Sequence, residues 1–168
     1  MTLPTNRRQP VIIGMPLVWC VALASCSGGV DQKKFEAVYR AGKAIEAGTD
    51  TGVNYPQYTQ LLQQFQTEIA VLNGRTSGDA ETKALNAYTE ALNAYRQAIV
   101  FWQLKIDGAS DRIPVLETLT PIATKYHMRL EDDGSGVKWV EWADANQALF
   151  AAGKARLEEA NKLVNGQP

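Results

Sequence analysis

The sequence predicts an all-α domain, an up-and-down bundle of about four main helices. Apolar residues recur at intervals of three and four over long stretches, which is the spacing of one helix face. Glycine and proline separate these stretches at the places where helices end and begin. The 168 residues, 45% hydrophobic and 21% charged, suit a single globular domain.

The first two helices are predicted at 31–47 and 56–73. Gly48 is expected to stop the first, and Pro56 occupies the first turn of the second, where proline is favoured. Asn73 and Gly74 are expected to close the second helix with a left-handed glycine. The buried stripes are predicted to contain Phe35, Val38, Gly42 and Ile45 in the first helix, and Tyr58, Leu62, Phe65, Ile69 and Leu72 in the second.

The third helix has the clearest pattern and is expected to end at Gly108. Its apolar residues alternate steps of three and four without interruption, as in the a/d seam of a coiled coil. Alanines at many intervening positions favour close approach of neighbouring helices. The predicted seam is Leu85, Tyr88, Leu92, Tyr95, Ile99, Trp102 and Ile106.

The segment 109–138 is less regular. Thr120 is expected to cap a short helix that reaches about His127. An Asp-Asp-Gly-Ser-Gly turn between Leu130 and Val137 can close a small β-hairpin. The prediction is therefore an extra helix or a hairpin before the last main helix.

The last helix is predicted from about Trp139 or Asp144 to Val164, with Asp144 and Gln147 as a capping box. Asn165 and Gly166 should terminate it. Its predicted stripe is Ala143, Asn146, Phe150, Gly153, Leu157, Ala160 and Val164.

The N-terminal segment combines Arg7 and Arg8 with an uncharged run from Val11 to Leu23. That run is too short for a membrane-spanning helix, which needs about 20 residues, but has the length of a signal-peptide apolar region. The next residues, Leu23-Ala24-Ser25-Cys26, resemble the lipobox of bacterial lipoproteins.

This resemblance implies export, cleavage before Cys26 and attachment of acyl chains such as palmitate to that cysteine. Two or more acyl chains hold a protein stably at a membrane. The expected organisation is a cleaved signal peptide at 1–25, a lipidated tether at 26–30 and a bundle domain at 31–168. Ser27 replaces the aspartate that retains many such proteins at the inner membrane. The expected location is thus the cell envelope, on the periplasmic side, with the outer membrane favoured where the host has one.

Charge and composition restrict the partners. The net charge is −1, and the chain after Cys26 has more acidic than basic side chains and no basic stripe. Nucleic acid is therefore not an expected partner. Catalysis is not expected either: the chain has one histidine, His127, and its only other cysteine, Cys20, lies in the signal segment. No cofactor is expected.

A weak calcium candidate consists of Glu131, Asp133 and Ser135, followed by Gly136, like the first half of an EF-hand loop. The second half departs from that pattern, because Trp142 stands where a bidentate glutamate is required. The sequence favours a solvated acidic turn and no metal site.

Aromatic residues are the remaining candidates for a site. Six of them fit either a packed core or the lining of a ligand pocket: Tyr88, Tyr95, Trp102, Trp139, Trp142 and Phe150. The leading hypothesis is a membrane-anchored domain that binds or scaffolds an envelope protein. The alternative is a binding module for a small apolar or aromatic ligand within the bundle. An enzyme is a distant third.

Overall fold

The structure, a computed structural model, describes residues 30–108 and 110–167. Within these residues the chain is mainly helical, and the predicted all-α bundle is confirmed. The helices are α1 (Gln32–Thr51), α2 (Tyr55–Asn73), α3 (Asp79–Gly108), α4 (Thr120–Lys125) and α5 (Trp142–Val164). Three short strands, β1 (Arg112–Pro114), β2 (Glu131–Asp132) and β3 (Lys138–Glu141), lie between α3 and α5.

The four long helices form an antiparallel bundle in which α1 packs on α2, α2 on α3, α3 on α5, and α5 again on α1. Contacts between α3 and α5 are the most extensive, and those between α1 and α5 are the sparsest of these four. We call one end of the bundle the Glu81 end. It contains the starts of α1 and α3 and the ends of α2 and α5. The opposite end, which contains the strands, is the sheet end.

The first two helices follow the prediction closely, except at their ends. Asp31 caps α1 by accepting from Lys33 N–H, and Asn54 forms a capping box with Gln57 at the start of α2. However, α1 continues through Gly48 to Thr51. A Cβ atom on Gly48 would lie 2.9 Å from Leu61 Cδ1, so this glycine permits close approach of α2.

The expected left-handed glycine at the end of α2 is wrong. Gly74 has a φ of −73°, in the right-handed region. The chain instead reverses its path at Gly78, whose φ of +83° requires the conformational freedom of glycine.

The predicted seam of α3 holds over its first half only. Leu85, Tyr88, Leu92 and Tyr95 are buried, but Ile106 is 51% exposed. Ile99 and Trp102 are half-buried, and Phe101, outside the predicted seam, is fully buried. An α-helix has 3.6 residues per turn, so a repeat of 3.5 drifts by about 20° per heptad in a straight helix. The buried face therefore rotates toward Ala98 and Phe101.

The segment before α5 contains both elements that the sequence left as alternatives. The hairpin is confirmed: β2 pairs antiparallel with β3 across the acidic turn. The sequence did not indicate β1, which pairs with the other edge of β3. Three residues that include Pro114 carry almost no strand signal. Ile113 and Val140, opposite each other in this pair, are buried under the sheet.

Two predicted caps are wrong. Thr120 is the first residue of α4, and its hydroxyl donates to the Leu116 carbonyl. The Asp144–Gln147 capping box does not form, because α5 begins directly after β3 at Trp142, with Glu141 in the cap position. The buried face of α5 also differs from the predicted stripe near the start of the helix. Ala143 is exposed, while Ala145 and Leu149 are buried.

The predicted signal peptide and lipobox lie outside the described residues. Within the described residues, every helix is either too short or insufficiently apolar to cross a bilayer.

Candidate functional site

The Glu81 end pairs its buried polar groups. Lys34 Nζ lies 2.7 Å from both carboxylate oxygens of Glu81, and Ser77 N–H donates to the same carboxylate at 2.9 Å. The hydrogen bond from Lys34, then that from Ser77, lowers the pKa of Glu81. Tyr88 donates its hydroxyl to Asn161 Oδ1 at 2.7 Å. These bonds tie α1 to α3 and α3 to α5. A smaller cleft of about 260 Å³ also lies at this end, between Tyr39 of α1 and Asn161 of α5.

The sheet end contains a cluster of aromatic rings that pack on one another. The ring centroids of Trp102 and Trp142, and those of Tyr58 and Phe150, are 5.6 Å apart in edge or tilted geometry. Tyr58 is fully buried and donates to the carbonyl of Tyr95 at 2.8 Å. Burial raises the pKa of Tyr58. Tyr58 is therefore the buried centre of the cluster, and Trp102, Trp142 and Phe150 are half-buried around it.

An open cleft lies beside this cluster, between the last turns of α1 and the first half of α5. We call it the α1–α5 cleft. Its volume is about 550 Å³, within the range of small-molecule sites. It follows the most sparsely packed of the four helix interfaces. Its principal lining residues are Thr49, Asp50, Trp142, Asn146, Phe150 and Lys154.

Asn146 is the most unusual residue of the cleft. It is 4% exposed, and neither its amide nitrogen nor its amide oxygen has a hydrogen-bond partner among the residues that the structure describes. Within the same residues, the indole nitrogen of Trp142, one helical turn away, is also buried and unpartnered. A buried polar group without a partner costs about 1–3 kcal/mol of stability. Such groups call for an explanation, because nearly all buried polar atoms in native proteins are paired.

Charged residues of α1 and α5 form ion pairs across the rim of the cleft. Lys154 Nζ of α5 lies 3.4 Å from carboxylate oxygens of Glu46 and Asp50 of α1. The hydrogen bond to Asp50 is the main cause that raises the pKa of Lys154. Tyr95 has an unpartnered buried hydroxyl. Burial, and then the negative charges of Glu46 and Asp50, raises the pKa of Tyr95.

The six aromatic candidates do not form one site. Trp142 and Phe150 line the cleft, and Trp102 packs against Trp142 behind it. Tyr88 and Tyr95 are fully buried in the core.

The sixth candidate, Trp139, lies on β3 under the guanidinium of Arg112, whose Cζ is 5.3 Å from the ring centroid. The indole nitrogen of Trp139 is buried and unpartnered.

Sequence patterns give little indication of the polar residues of the cleft. Asn146 falls in the predicted buried stripe of the last helix, and the only signal is that it is a polar residue among apolar ones. Asp50 and Lys154 carry no local signal, because their proximity depends on the antiparallel packing of α1 and α5.

The calcium candidates Glu131, Asp133 and Ser135 are exposed, and their oxygen atoms or backbone groups bond to protein partners. Glu131 is 3.8 Å from Arg112 in an ion pair, and Asp133 accepts from Ser135 N–H at 3.0 Å. Hydrogen bonds from Ser135 lower the pKa of Asp133. Within the described part of the chain, no group of three or more histidine, cysteine or acidic residues is arranged to hold a metal ion. His127 lies at the exposed end of α4, with a φ of +50°.

Comparison with known proteins adds no family. No protein-family model matches the chain, and neither a curated protein nor a solved structure shows significant similarity to it.

Proposed function

We propose that the protein is an exported lipoprotein, cleaved before Cys26 and held at the cell envelope by lipid, whose helical bundle works by binding. The run Leu23-Ala24-Ser25-Cys26, behind a short apolar segment and two arginines, supports the anchor. The α1–α5 cleft, with the unpartnered amide of Asn146, supports binding of a small ligand. That amide is the observation on which the binding role rests.

Lipid anchoring would also orient the bundle. Only residues 27–31 separate Cys26 from α1, so the start of α1 would lie near the bilayer. The 20 residues of α1 extend roughly 30 Å at 1.5 Å per residue. The Glu81 end would then face the membrane, and the cleft would open at the distal end, accessible from the aqueous side.

The anchor is tested by growing cells with labelled palmitate. We expect the protein to incorporate the label and Cys26→Ala to lose it, with the uncleaved precursor accumulating. Cys20→Ala is the matched control and should incorporate label like the wild type. Label on the Cys26→Ala protein would refute the assignment.

The binding role is tested with the mature protein in phosphatidylcholine nanodiscs. The probes are three naphthalenes of similar size: 2-naphthamide, 2-naphthoate and 2-methylnaphthalene. We expect at least one to shift the indole N–H resonance of Trp142 saturably, with little change at Trp139, which lies outside the cleft lining. If none of the three shifts Trp142, ligand binding in the cleft is refuted.

A second candidate is a protein partner on the outer face of α3. Val100 and Leu104 lie one turn apart and are exposed, as is Leu116 in the loop between β1 and α4. A photo-crosslinking side chain at position 104 should then form one discrete product in intact membranes, whereas one at the exposed Thr67 of α2 should not. The same products at both positions would exclude this surface.

A further inference from the structure

Two residues that line the α1–α5 cleft, Trp142 and Asn146, have buried polar atoms that specify the chemistry of a complementary ligand. Trp142 offers one N–H donor, and Asn146 offers an amide donor beside an amide acceptor. A ligand that satisfies Asn146 must present an acceptor and a donor side by side, as an amide or lactam does. A ligand with acceptors alone would leave the Asn146 oxygen unpaired.

The charges around the cleft favour an uncharged ligand. Lys154 is already paired with Glu46 and Asp50 across the rim, and Glu46 is also paired with Lys43 at 2.7 Å. An anion would have to displace carboxylates from Lys154 and would then face their charge. Lys105 does not supply a free cation either, since it lies 3.8 Å from the Trp142 ring centroid and pairs with Asp111 at 2.6 Å.

The walls favour a flat apolar body. Phe150 and the Trp142 ring provide aromatic surface, and Ala143 and Ala151 leave room beside them. A planar ring system can cover this aromatic surface of α5. Apolar walls with a few polar groups are the usual composition of a small-molecule site.

Access to the Asn146 amide requires a small opening of the interface between α1 and α5, since the amide atoms are covered. At the rim, the ion pairs of Lys154 with Glu46 and Asp50 are 3.4 Å long, and Lys154 and Asp50 are partly solvated, so these pairs resist a local opening only weakly. The ligand would thus replace weak contacts and supply partners to unpaired atoms.

We propose that the α1–α5 cleft takes an uncharged, planar, aromatic ligand with an amide-type group, which pairs with Asn146 while its ring lies against Trp142 and Phe150. This inference rests on the proposed binding role of the cleft and assigns its ligand class.

The test ranks the three naphthalene probes in the nanodisc protein by titrating the Trp142 indole resonance. We expect 2-naphthamide to bind at least tenfold more tightly than 2-naphthoate and 2-methylnaphthalene. Asn146→Leu should weaken 2-naphthamide at least tenfold and leave 2-methylnaphthalene unchanged or tighter. Asn86→Leu, at an exposed position of α3 outside the cleft lining, is the matched control and should bind all three probes like the wild type.

Equal affinities for the three probes, or tightest binding of 2-naphthoate, would overturn the ligand class while leaving a ligand site in place. No binding of any probe would overturn the ligand site as well. The ranking in the wild-type protein decides the ligand class even if Asn146→Leu fails to fold.

Discussion

The two ends of the bundle differ in whether their buried polar groups have hydrogen-bond partners. At the Glu81 end, Glu81 is paired with Lys34 and Ser77, and the Tyr88 hydroxyl is paired with Asn161. From Tyr95 to the sheet end, the described residues include hydroxyl, indole and amide groups that are buried without partners. Unpaired buried groups lower the free energy of unfolding. Because they lie toward the sheet end, we expect the Glu81 end to contribute more to stability, while the sheet end carries the proposed site.

The aromatic rings are also more completely buried at the Glu81 end than at the sheet end. Phe35 and Phe65, on either side of Tyr88, are fully buried, and their ring centroids lie 6.2 and 6.3 Å from that of Tyr88. At the sheet end, Phe150 is only half-buried, because one side of its ring lines the cleft. The rings at the Glu81 end are thus fully enclosed, whereas the Phe150 ring at the sheet end is partly open to the α1–α5 cleft.

The largest expected change in unfolding free energy is the difference between substitutions of two phenylalanines, one at each end of the bundle. Phe35→Ala should lower the free energy of unfolding by about 3–5 kcal/mol, because a fully buried ring leaves a cavity. Phe150→Ala should lower it by about 1–2 kcal/mol, since part of its ring is already solvated. Urea denaturation measures both values. Equal losses would show that the two ends are packed alike.

The next effect compares two helix glycines. A Cβ on Gly153 would lie 2.6–2.9 Å from three atoms of the rigid Tyr95 ring, whereas one on Gly42 would approach the flexible end of Leu157 at 2.8 Å. Gly153→Ala should destabilise by about 1–3 kcal/mol from overpacking, beyond the gain in helix propensity of about 1 kcal/mol.

Gly42→Ala is the control for that substitution and should change the unfolding free energy much less, since Leu157 can rotate away. The measurement is again urea denaturation. A Gly153→Ala protein as stable as Gly42→Ala would contradict the close contact between α5 and Tyr95.

Removal of two tyrosine hydroxyls, one paired and one unpaired, should give a smaller difference in unfolding free energy. Tyr88→Phe removes a hydrogen bond to Asn161 and should cost about 1 kcal/mol. Tyr95→Phe removes an unpartnered hydroxyl and should be neutral or slightly stabilising. The melting temperatures of both variants test this prediction. A Tyr95→Phe protein that is less stable than Tyr88→Phe would contradict the view that the Tyr95 hydroxyl is unpaired and the Tyr88 hydroxyl is paired.

The smallest effect concerns the pH dependence of the Glu81 end. Hydrogen bonds from Lys34 and Ser77 lower the folded pKa of Glu81 below its usual 4.5. The unfolded chain therefore binds this proton at higher pH than the folded protein does. The stability that Glu81 contributes is complete above its unfolded pKa and is lost as pH falls through the folded pKa.

We expect the unfolding free energy of the wild type to fall more steeply than that of Glu81→Gln as the pH decreases below about 5. Glu117→Gln, at an exposed carboxylate for which the structure records no ion pair, is the control and should follow the wild type. Parallel curves for the wild type and Glu81→Gln would show that the carboxylate is not preferentially stabilised in the folded state.

Local patterns in the sequence predict most of the fold. The helix periodicity, the proline at the start of α2 and the acidic turn of the hairpin act over a few residues, and the structure confirms them. The errors arise where tertiary contact decides. Gly48 allows α2 to approach, β1 exists only because β3 offers an edge, and Phe101 is buried because the helix face rotates.

The candidate site was less predictable for the same reason. The sequence indicates the aromatic residues as one group of candidates. Only the fold shows that Trp142 and Phe150 lie at the cleft whereas Tyr88 lies in the core. The Lys154–Asp50 pair joins residues 104 positions apart. No local pattern brings them together, and nothing in the sequence shows that the Asn146 amide lacks a partner.

If the buried amide of Asn146 serves ligand binding, it should lower the stability of the unliganded protein. The most direct test is the difference in unfolding free energy between the wild type and Asn146→Leu, measured by urea denaturation without ligand. An apolar side chain of similar size removes the unpaired amide, so we expect the variant to be more stable by about 1 kcal/mol. A variant less stable than the wild type would contradict this role, because Asn146 would then be supporting the fold.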